Sequence, residues 1–181
     1  MQRLIALTLA LFLLQILSAQ VNTEKLRKSA KGNGFGGDFE TSLNLKNGNS
    51  EVLNLGLGFR VEFKKNKNLL FAVNDFEFEK SSGAKVVNKG FSHLRYNYTF
   101  NDFWTNEAFT QIEYNEFTRL DLRNLYGLGV RLNLFKNETI KQIFGTAYLF
   151  EIERLKDQNS KQMNHRSSNY FLTNINFETF A

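Results

Sequence analysis

The sequence predicts an all-β protein, an antiparallel up-and-down transmembrane β-barrel with about eight strands. Three observations predict it: long period-two alternation, an N-terminal export signal, and no later apolar run that could cross a bilayer as a helix. Residues 51–63 (EVLNLGLGFRVEF) place six apolar side chains on one parity and mainly glycine and charge on the other. The alternation returns over residues 120–134. This pattern is typical of strands with one apolar and one polar face.

Residues 1–19 are predicted to be a signal peptide. Arg3 supplies the basic start, residues 4–17 form the apolar stretch, and Ser18 and Ala19 are small residues before a polar turn. We expect cleavage after Ala19, with Gln20 as the alternative. An N-terminal membrane anchor is the other interpretation, but the apolar run is short for a spanning helix. Residues 20–33 then form an N-terminal arm, and residues 34–181 the barrel domain.

The composition excludes several classes of protein. The chain has 0 Cys, which removes disulfides, thiolate metal sites and thiol nucleophiles. It has 0 Pro, which suits long paired strands. The net charge is +5, but Lys and Arg are scattered without a basic block, so no nucleic-acid partner is expected. No metal-ligand spacing or phosphate-binding motif appears, and we expect no metal and no cofactor.

Turn signals divide the domain into hairpins. Asn47-Gly48 is a strong hairpin signal between the first two strands. The apolar parity changes within the third strand, which predicts a bulge near Asn74 and Asp75. Longer polar loops are expected at 81–88 and 155–165; with a periplasmic N-terminus these fall on the external side. The predicted strands cover residues 34–46, 51–63, 69–80, 89–100, 103–117, 120–134, 139–153 and 166–181.

The polar parity is predicted to face the barrel interior, because glycine and charges of both signs suit a narrow lumen. A lipocalin-like soluble barrel is the alternative, with the apolar parity inside. Aromatic residues near strand ends favour the membrane, where they form interfacial belts. The belt residues are Phe63, Phe71, Tyr98, Phe100, Phe103 and Trp104 at one rim, and Tyr114, Phe117 and Phe150 at the other. The predicted interior polar residues are Arg60, Glu62, His93, Arg95, Arg123, Arg131, Glu151 and Glu153.

Two residues are candidates for catalysis. His165 and Ser167 share one parity near the predicted outer rim, and some eight-stranded outer-membrane lipid A deacylases carry such a His-x-Ser pair. No acidic residue is clearly placed to orient the histidine. We therefore expect no enzymatic activity, and a lipid A-modifying enzyme is kept as an alternative.

The stretch around the sixth strand resembles a known family. Residues 117–123 (FTRLDLR), followed by Gly127-Leu128-Gly129, are similar to the domain of unknown function 481 family, the YdiY-like salt-induced outer-membrane proteins. The segment GFGGDFETSLNLKNGNSE, which begins at Gly34, fits the same pattern. The resemblance implies an outer-membrane β-barrel without assigned catalytic residues. Family members usually continue for several more strands, so we expect this chain to be C-terminally truncated.

The combined prediction is a non-enzymatic barrel in the bacterial outer membrane, with a structural, interaction or stress-related role. Its expected partners are outer-membrane lipids and the barrel-assembly machinery. Besides the enzyme and the secreted lipocalin-like barrel, a small pore or passive channel is an alternative, because a barrel with more strands has a wider lumen.

Overall fold

A computed structural model describes residues 32–48, 51–137, 139–156 and 160–175. The predicted signal peptide and nearly all of the predicted arm lie outside these residues. Eight strands make up the structure: β1 (Gly34–Lys46), β2 (Val52–Lys65), β3 (Asn68–Ser81), β4 (Ala84–Thr99), β5 (Trp104–Asn115), β6 (Leu120–Lys136), β7 (Ile140–Leu155) and β8 (Gln162–Ile175). Among the residues described, no helix has the length and apolar character needed to cross a membrane.

All eight strands lie in one antiparallel sheet in chain order, which confirms the all-β, up-and-down architecture. Each strand pairs with its sequence neighbours, as hairpin connections require. Within the described residues β1 pairs only with β2, and β8 only with β7, so the sheet is not closed. We call the end that carries the β1–β2, β3–β4, β5–β6 and β7–β8 connections the loop end. The opposite end, where β1 begins, is the turn end.

The connection between β3 and β4 is much shorter than predicted. β3 continues to Ser81 and β4 begins at Ala84, so only Ser82 and Gly83 form the turn. Both have positive φ angles, 47° and 80°, as a two-residue hairpin turn with φ > 0 at both central positions demands. The prediction of a long loop at 81–88 is therefore wrong, because Lys85 to Asn88 continue the pairing of β4 with β3. The predicted loop at 155–165 is also shorter, since β8 begins at Gln162.

The third strand holds its register where a bulge was predicted. Asn74 and Asp75 pair regularly with β2 and β4, and the β3–β4 register shifts instead between Glu79 and Lys80. Without a bulge at 74–75, the apolar residues of β3 divide between the two faces of the sheet. Phe71 consequently faces inward and is 1% exposed. Its assignment to an aromatic belt is wrong.

The sheet has two distinct faces. From β2 to β7 the middle of the inner face is buried although no second layer covers it within the described residues, because the sheet curls around its own side chains. It contains Arg60, Phe71, His93, Arg95, Glu107, Gln111, Leu125, Ile143, Leu149 and Glu151, all buried. β1 is exposed on both faces. The outer face is exposed and apolar. It contains Phe39, Leu57, Phe59, Val61, Leu70, Leu94, Tyr96, Tyr126, Leu128, Tyr148 and Phe171.

Candidate functional site

A column of cations and aromatic rings crosses the inner face from β2 to β5. The Arg60 guanidinium lies 4.8 Å from the ring centre of Phe71, and that of Arg95 lies 4.6 Å from the ring centre of Phe109. Arg95 also approaches Phe71, at 5.9 Å. The strand ladder explains the contact, because Arg95 is the direct cross-strand partner of both Phe71 and Phe109. The contact of a guanidinium group with a desolvated aromatic ring is stabilising by about 1–2 kcal/mol.

His93 sits beside this column and is 1% exposed. Its ring stacks nearly parallel to Phe91, at 6.1 Å and 2°, and lies 5.5 Å from Phe109. Its Nε2 accepts a hydrogen bond from Arg95 Nε at 3.1 Å. Because an imidazole nitrogen that accepts must be unprotonated, the proton of a neutral His93 resides on Nδ1.

Several inner-face charges are matched by an opposite charge nearby. Arg95 Nη1 lies 3.5 Å from Glu107 Oε2, and Arg60 Nη2 lies 2.5 Å from Glu62 Oε2. Further along the sheet, Arg123 pairs with Glu113. Pairing of this kind is what permits charges to be buried at all, since an isolated buried charge costs several kcal/mol.

The β7–β8 hairpin contributes another buried pair. Glu151, 1% exposed, accepts hydrogen bonds from Arg166 Nη1 at 2.9 and 3.1 Å, and from Asn164 Nδ2 at 3.3 Å. Toward the turn end, Arg131 Nη1 donates to Tyr170 Oη at 3.4 Å. β8 therefore supplies inner-face partners for both β6 and β7.

The outer face bears an apolar groove of about 520 Å³ that we call the β5 groove. Its floor lies along β5, where the outward residues Ala108 and Thr110 are small. Longer side chains rise on either side, from Leu94 and Tyr96 on β4 to Leu128 on β6. Leu70, Tyr126, Tyr148 and Phe150 complete the outward-facing lining. Phe109 and Gly127, which belong to the inward parity, also border the groove. A groove forms because two short side chains stand in a row of long ones.

His165 and Ser167 lie on the outer face of β8, next to this groove. His165 is the cross-strand partner of Phe150, and Ser167 that of Tyr148. The His165 ring packs 5.3 Å from Phe150, and its Nδ1 forms a hydrogen bond with Tyr148 Oη. The partner of the candidate base is thus a phenol, whereas a hydrolytic triad uses a carboxylate.

A charged cluster ties three connections together at the loop end. Glu116 receives hydrogen bonds from Lys85 Nζ at 2.9 and 3.0 Å and from Asn88 Nδ2 at 2.7 Å. Lys156 Nζ lies 3.5 Å from the same carboxylate. The hydrogen bond from Asn88, followed by that from Lys85, lowers the pKa of Glu116 to about 2. We call Lys85, Glu116 and Lys156 the rim cluster.

One known protein family matches most of the chain. The family described as "Protein of unknown function, DUF481" matches residues 39–179. The chain belongs to the DUF481 family. No curated protein and no solved structure matches it significantly.

The eight residues predicted to line the interior of the DUF481 sheet all lie on its inner face. Glu153 is directly across from Arg123 and Gln162, and Arg131 from Gly145. The structure brings Arg60 to Glu62 and His93 to Arg95. Glu151 is paired with Arg166. In the part of the DUF481 chain that the structure describes, no three His, Asp or Glu residues are grouped as metal ligands would be.

Sequence reasoning missed several partners in the DUF481 chain. Glu107, Glu113 and Arg166 complete the inner-face pairs, and each lies on the polar parity of its strand. That parity was the signal that could have found them. The β5 groove was missed as well. Its signal was the pair of small outward residues, Ala108 and Thr110, in an otherwise bulky apolar parity.

Proposed function

We propose that this DUF481 protein is a non-enzymatic β-barrel of the bacterial outer membrane. The single observation that supports this most strongly is the inversion of its two faces. Leu57 and Leu128 point outward and are 39% and 66% exposed, while Arg95 and Glu151 are buried inside. A water-soluble barrel gains its stability by burying the apolar face. A barrel in lipid needs the opposite arrangement, which these residues have.

Aromatic side chains at the turn end support the same proposal. Phe100, Phe103 and Trp104 lie at the β4–β5 connection and are 41–61% exposed. Trp104 Nε1 donates to Asn106 Oδ1 at 2.6 Å. Amphipathic rings at this position suit the headgroup region of a bilayer, where one end of the ring is apolar and the other is hydrated.

The register of the sheet supports closure into a barrel. Followed from strand to strand, the pairs that start at Phe39 lead to Met163. Phe39 is five residues from the turn end of β1, whereas Met163 is twelve residues from the turn end of β8. From β1 to β8, the rows of paired residues therefore shift along the strands by about seven residues. This is close to the shear of about 8 of an eight-stranded barrel. Because side-chain parity must be kept, closure would place Phe39 beside Phe171.

The filled interior favours a structural or interaction role over a passive pore. Phe71, Phe109 and Leu149 pack among the inner-face charges, and all the side chains in the Arg60–Phe109 column touch their neighbours. Eight strands give an interior just wide enough for side chains to fill it. We expect reconstituted protein to show no steady single-channel conductance.

The proposal is tested by two lysine substitutions on one strand. Leu57→Lys puts a cation on the outer face of β2 and should cost about 2–4 kcal/mol of folding free energy in bilayers. Asn54→Lys is the matched control, because Asn54 faces inward and donates to Glu79 at 2.8 Å, so a lysine there meets a carboxylate. Unfolding in phospholipid vesicles measures both. Equal tolerance of the two changes, or a protein that stays soluble and shows no heat-modifiable gel mobility, would overturn the proposal.

A further inference from the structure

We propose that the β5 groove and the rim cluster together form a binding site for one anionic, phosphate-bearing lipid. An acyl chain would occupy the groove, and the phosphate would contact the Lys85 and Lys156 ammonium groups. The inference rests on the proposed function, because it requires the outer face to lie in a bilayer.

The groove has the size and chemistry of a lipid-chain site. Its volume of about 520 Å³ lies within the ordinary range of small-molecule sites, about 300–1,000 Å³. Its lining is aliphatic and aromatic, and Thr110 and the tyrosine hydroxyls are the polar side-chain groups among the lining residues. Tyr126 and Phe150 stack at 6.5 Å and form a firm wall on one side. A flexible hydrocarbon chain packs against such a lining with little desolvation of polar groups.

The rim cluster lies at a suitable distance from the groove, at the loop end. From Thr110 the outward positions of β5 run through Ile112 and Tyr114, and Glu116 follows just past the end of the strand, six residues from Thr110 or about 20 Å at 3.3 Å per residue. Barrel strands tilt by about 40°, so this distance along the strand corresponds to a depth of about 15 Å along the membrane normal. That is half of a hydrocarbon core about 30 Å thick. A lipid headgroup held at the rim would thus place its chain in the groove.

The charge of the rim cluster selects an anion. Two ammonium groups share one carboxylate, so the cluster has a net positive charge. Lys85 and Lys156 are 45% and 41% exposed, which leaves each ammonium group free to contact a second anion from the membrane side. A basic residue near a membrane surface strengthens binding of anionic lipid by about fivefold.

Native mass spectrometry of the full-length mature protein tests the site. The protein is released from micelles that contain dioleoylphosphatidylglycerol and dioleoylphosphatidylcholine in equal amounts. We expect one phosphatidylglycerol to be retained in preference to phosphatidylcholine. Lys85→Gln and Lys156→Gln should each lower that preference by about fivefold. Lys136→Gln, at the turn end, is the matched control and should leave it unchanged.

The groove is tested separately by filling it. Ala108→Leu should reduce retention of both lipids, whereas Thr41→Leu, an outward substitution on β1, should not. Heat-modifiable gel mobility establishes that every variant is folded. Folded protein without a retained lipid, or with equal retention of both lipids, overturns the lipid site while the membrane proposal stands. Detection of a protein dimer in place of the lipid adduct also overturns the lipid site, because a second copy of the chain then occupies the groove. Failure of the unmodified protein to fold in micelles contradicts the proposed function itself.

Discussion

Arg95 Nε donates a hydrogen bond to His93 Nε2 at 3.1 Å, and both side chains are nearly inaccessible to solvent. The two residues lie two positions apart on β4, so they share the inner face. Arg95 holds Glu107 with another nitrogen and contacts Phe71 and Phe109 with its plane. One guanidinium therefore joins β3, β4 and β5 from inside the sheet.

Arg95→Ala should destabilise the protein strongly. Removal of the guanidinium leaves the buried Glu107 carboxylate without this partner, and breaking a buried pair from one side costs about 3–5 kcal/mol. Arg154→Ala is the comparison, because the Arg154–Asp121 pair is half exposed and should cost less than about 1 kcal/mol. Urea unfolding of the folded protein in vesicles measures both. Similar losses for the two variants would contradict the buried role of Arg95.

Gly127→Ala should destabilise the protein because a Cβ there would overlap the Phe109 ring. Overpacking of this kind costs about 1–3 kcal/mol. Gly58→Ala is the matched control, since its nearest neighbour outside the adjacent residues, Asp75 Oδ2, lies at 3.6 Å, an ordinary contact. Adding Phe109→Leu to Gly127→Ala should recover part of the loss. Strict additivity of the two changes in a double-mutant cycle would show that the overlap is absent.

The loop-end connections should loosen in acid. The pKa of Glu116 is lowered from 4.5 to about 2 by Asn88 and Lys85, so the stabilisation is complete above pH 4.5 and is lost as pH falls toward 2. Hydrogen exchange of the Glu116 amide, which donates to Asn88 O at 2.9 Å, reports this opening. After correction for the intrinsic exchange rate, protection should decrease across that window. Glu116→Gln should lose the pH dependence, while Glu77→Gln should retain it.

The β1–β8 seam can be tested with cysteines in a chain that has none of its own. With Phe39 beside Phe171, Thr41 pairs with Asn169, and cross-strand Cβ atoms lie about 4.5–5.5 Å apart. Thr41→Cys combined with Asn169→Cys should form an intramolecular crosslink with a short bifunctional reagent. Thr41→Cys combined with Ser160→Cys should not. Crosslinks that appear only between chains would show that the two edges join separate copies.

His165 and Ser167 should be dispensable for lipid chemistry. The hydrogen-bond partner of His165 is Tyr148, and a phenol does not stabilise an imidazolium as a carboxylate does. Expression of the protein, of Ser167→Ala and of His165→Ala in an outer-membrane host should give identical lipid A mass spectra. Loss of an acyl chain with the unmodified protein, restored by either substitution, would instead establish the deacylase alternative.

Alternation in the sequence predicted the strands well where one face is uniformly apolar. β1 spans Gly34–Lys46 as expected, and β2 and β6 lie within two residues of their predicted bounds. Prediction failed where the parity rule breaks down. In β3, apolar residues serve both faces, because Phe71 packs between two arginines inside while Phe76 and Phe78 face outward. A change of parity was therefore misinterpreted as a bulge.

For the candidate sites too, some features could be predicted from the sequence and others could not. Interior polar residues follow from local parity, which a single strand reveals. Their partners and the β5 groove depend on which residues of neighbouring strands stand side by side, and that register is a property of the whole sheet. The polar stretch at 81–88 misled for another reason. Ser82 and Gly83 supply the turn, and Lys85 and Asn88 after them belong to β4 and pair with β3.

The order of the strands also has a consequence for how the protein assembles. Every pairing joins consecutive strands, so hairpins can form one after another with short loop closures and little entropic cost. A β1–β8 seam would be the exception, because it joins residues more than a hundred positions apart. Closure would then be the slow final step, and the exposed edge of β1 would be the point at which an assembly factor could hold the growing sheet open.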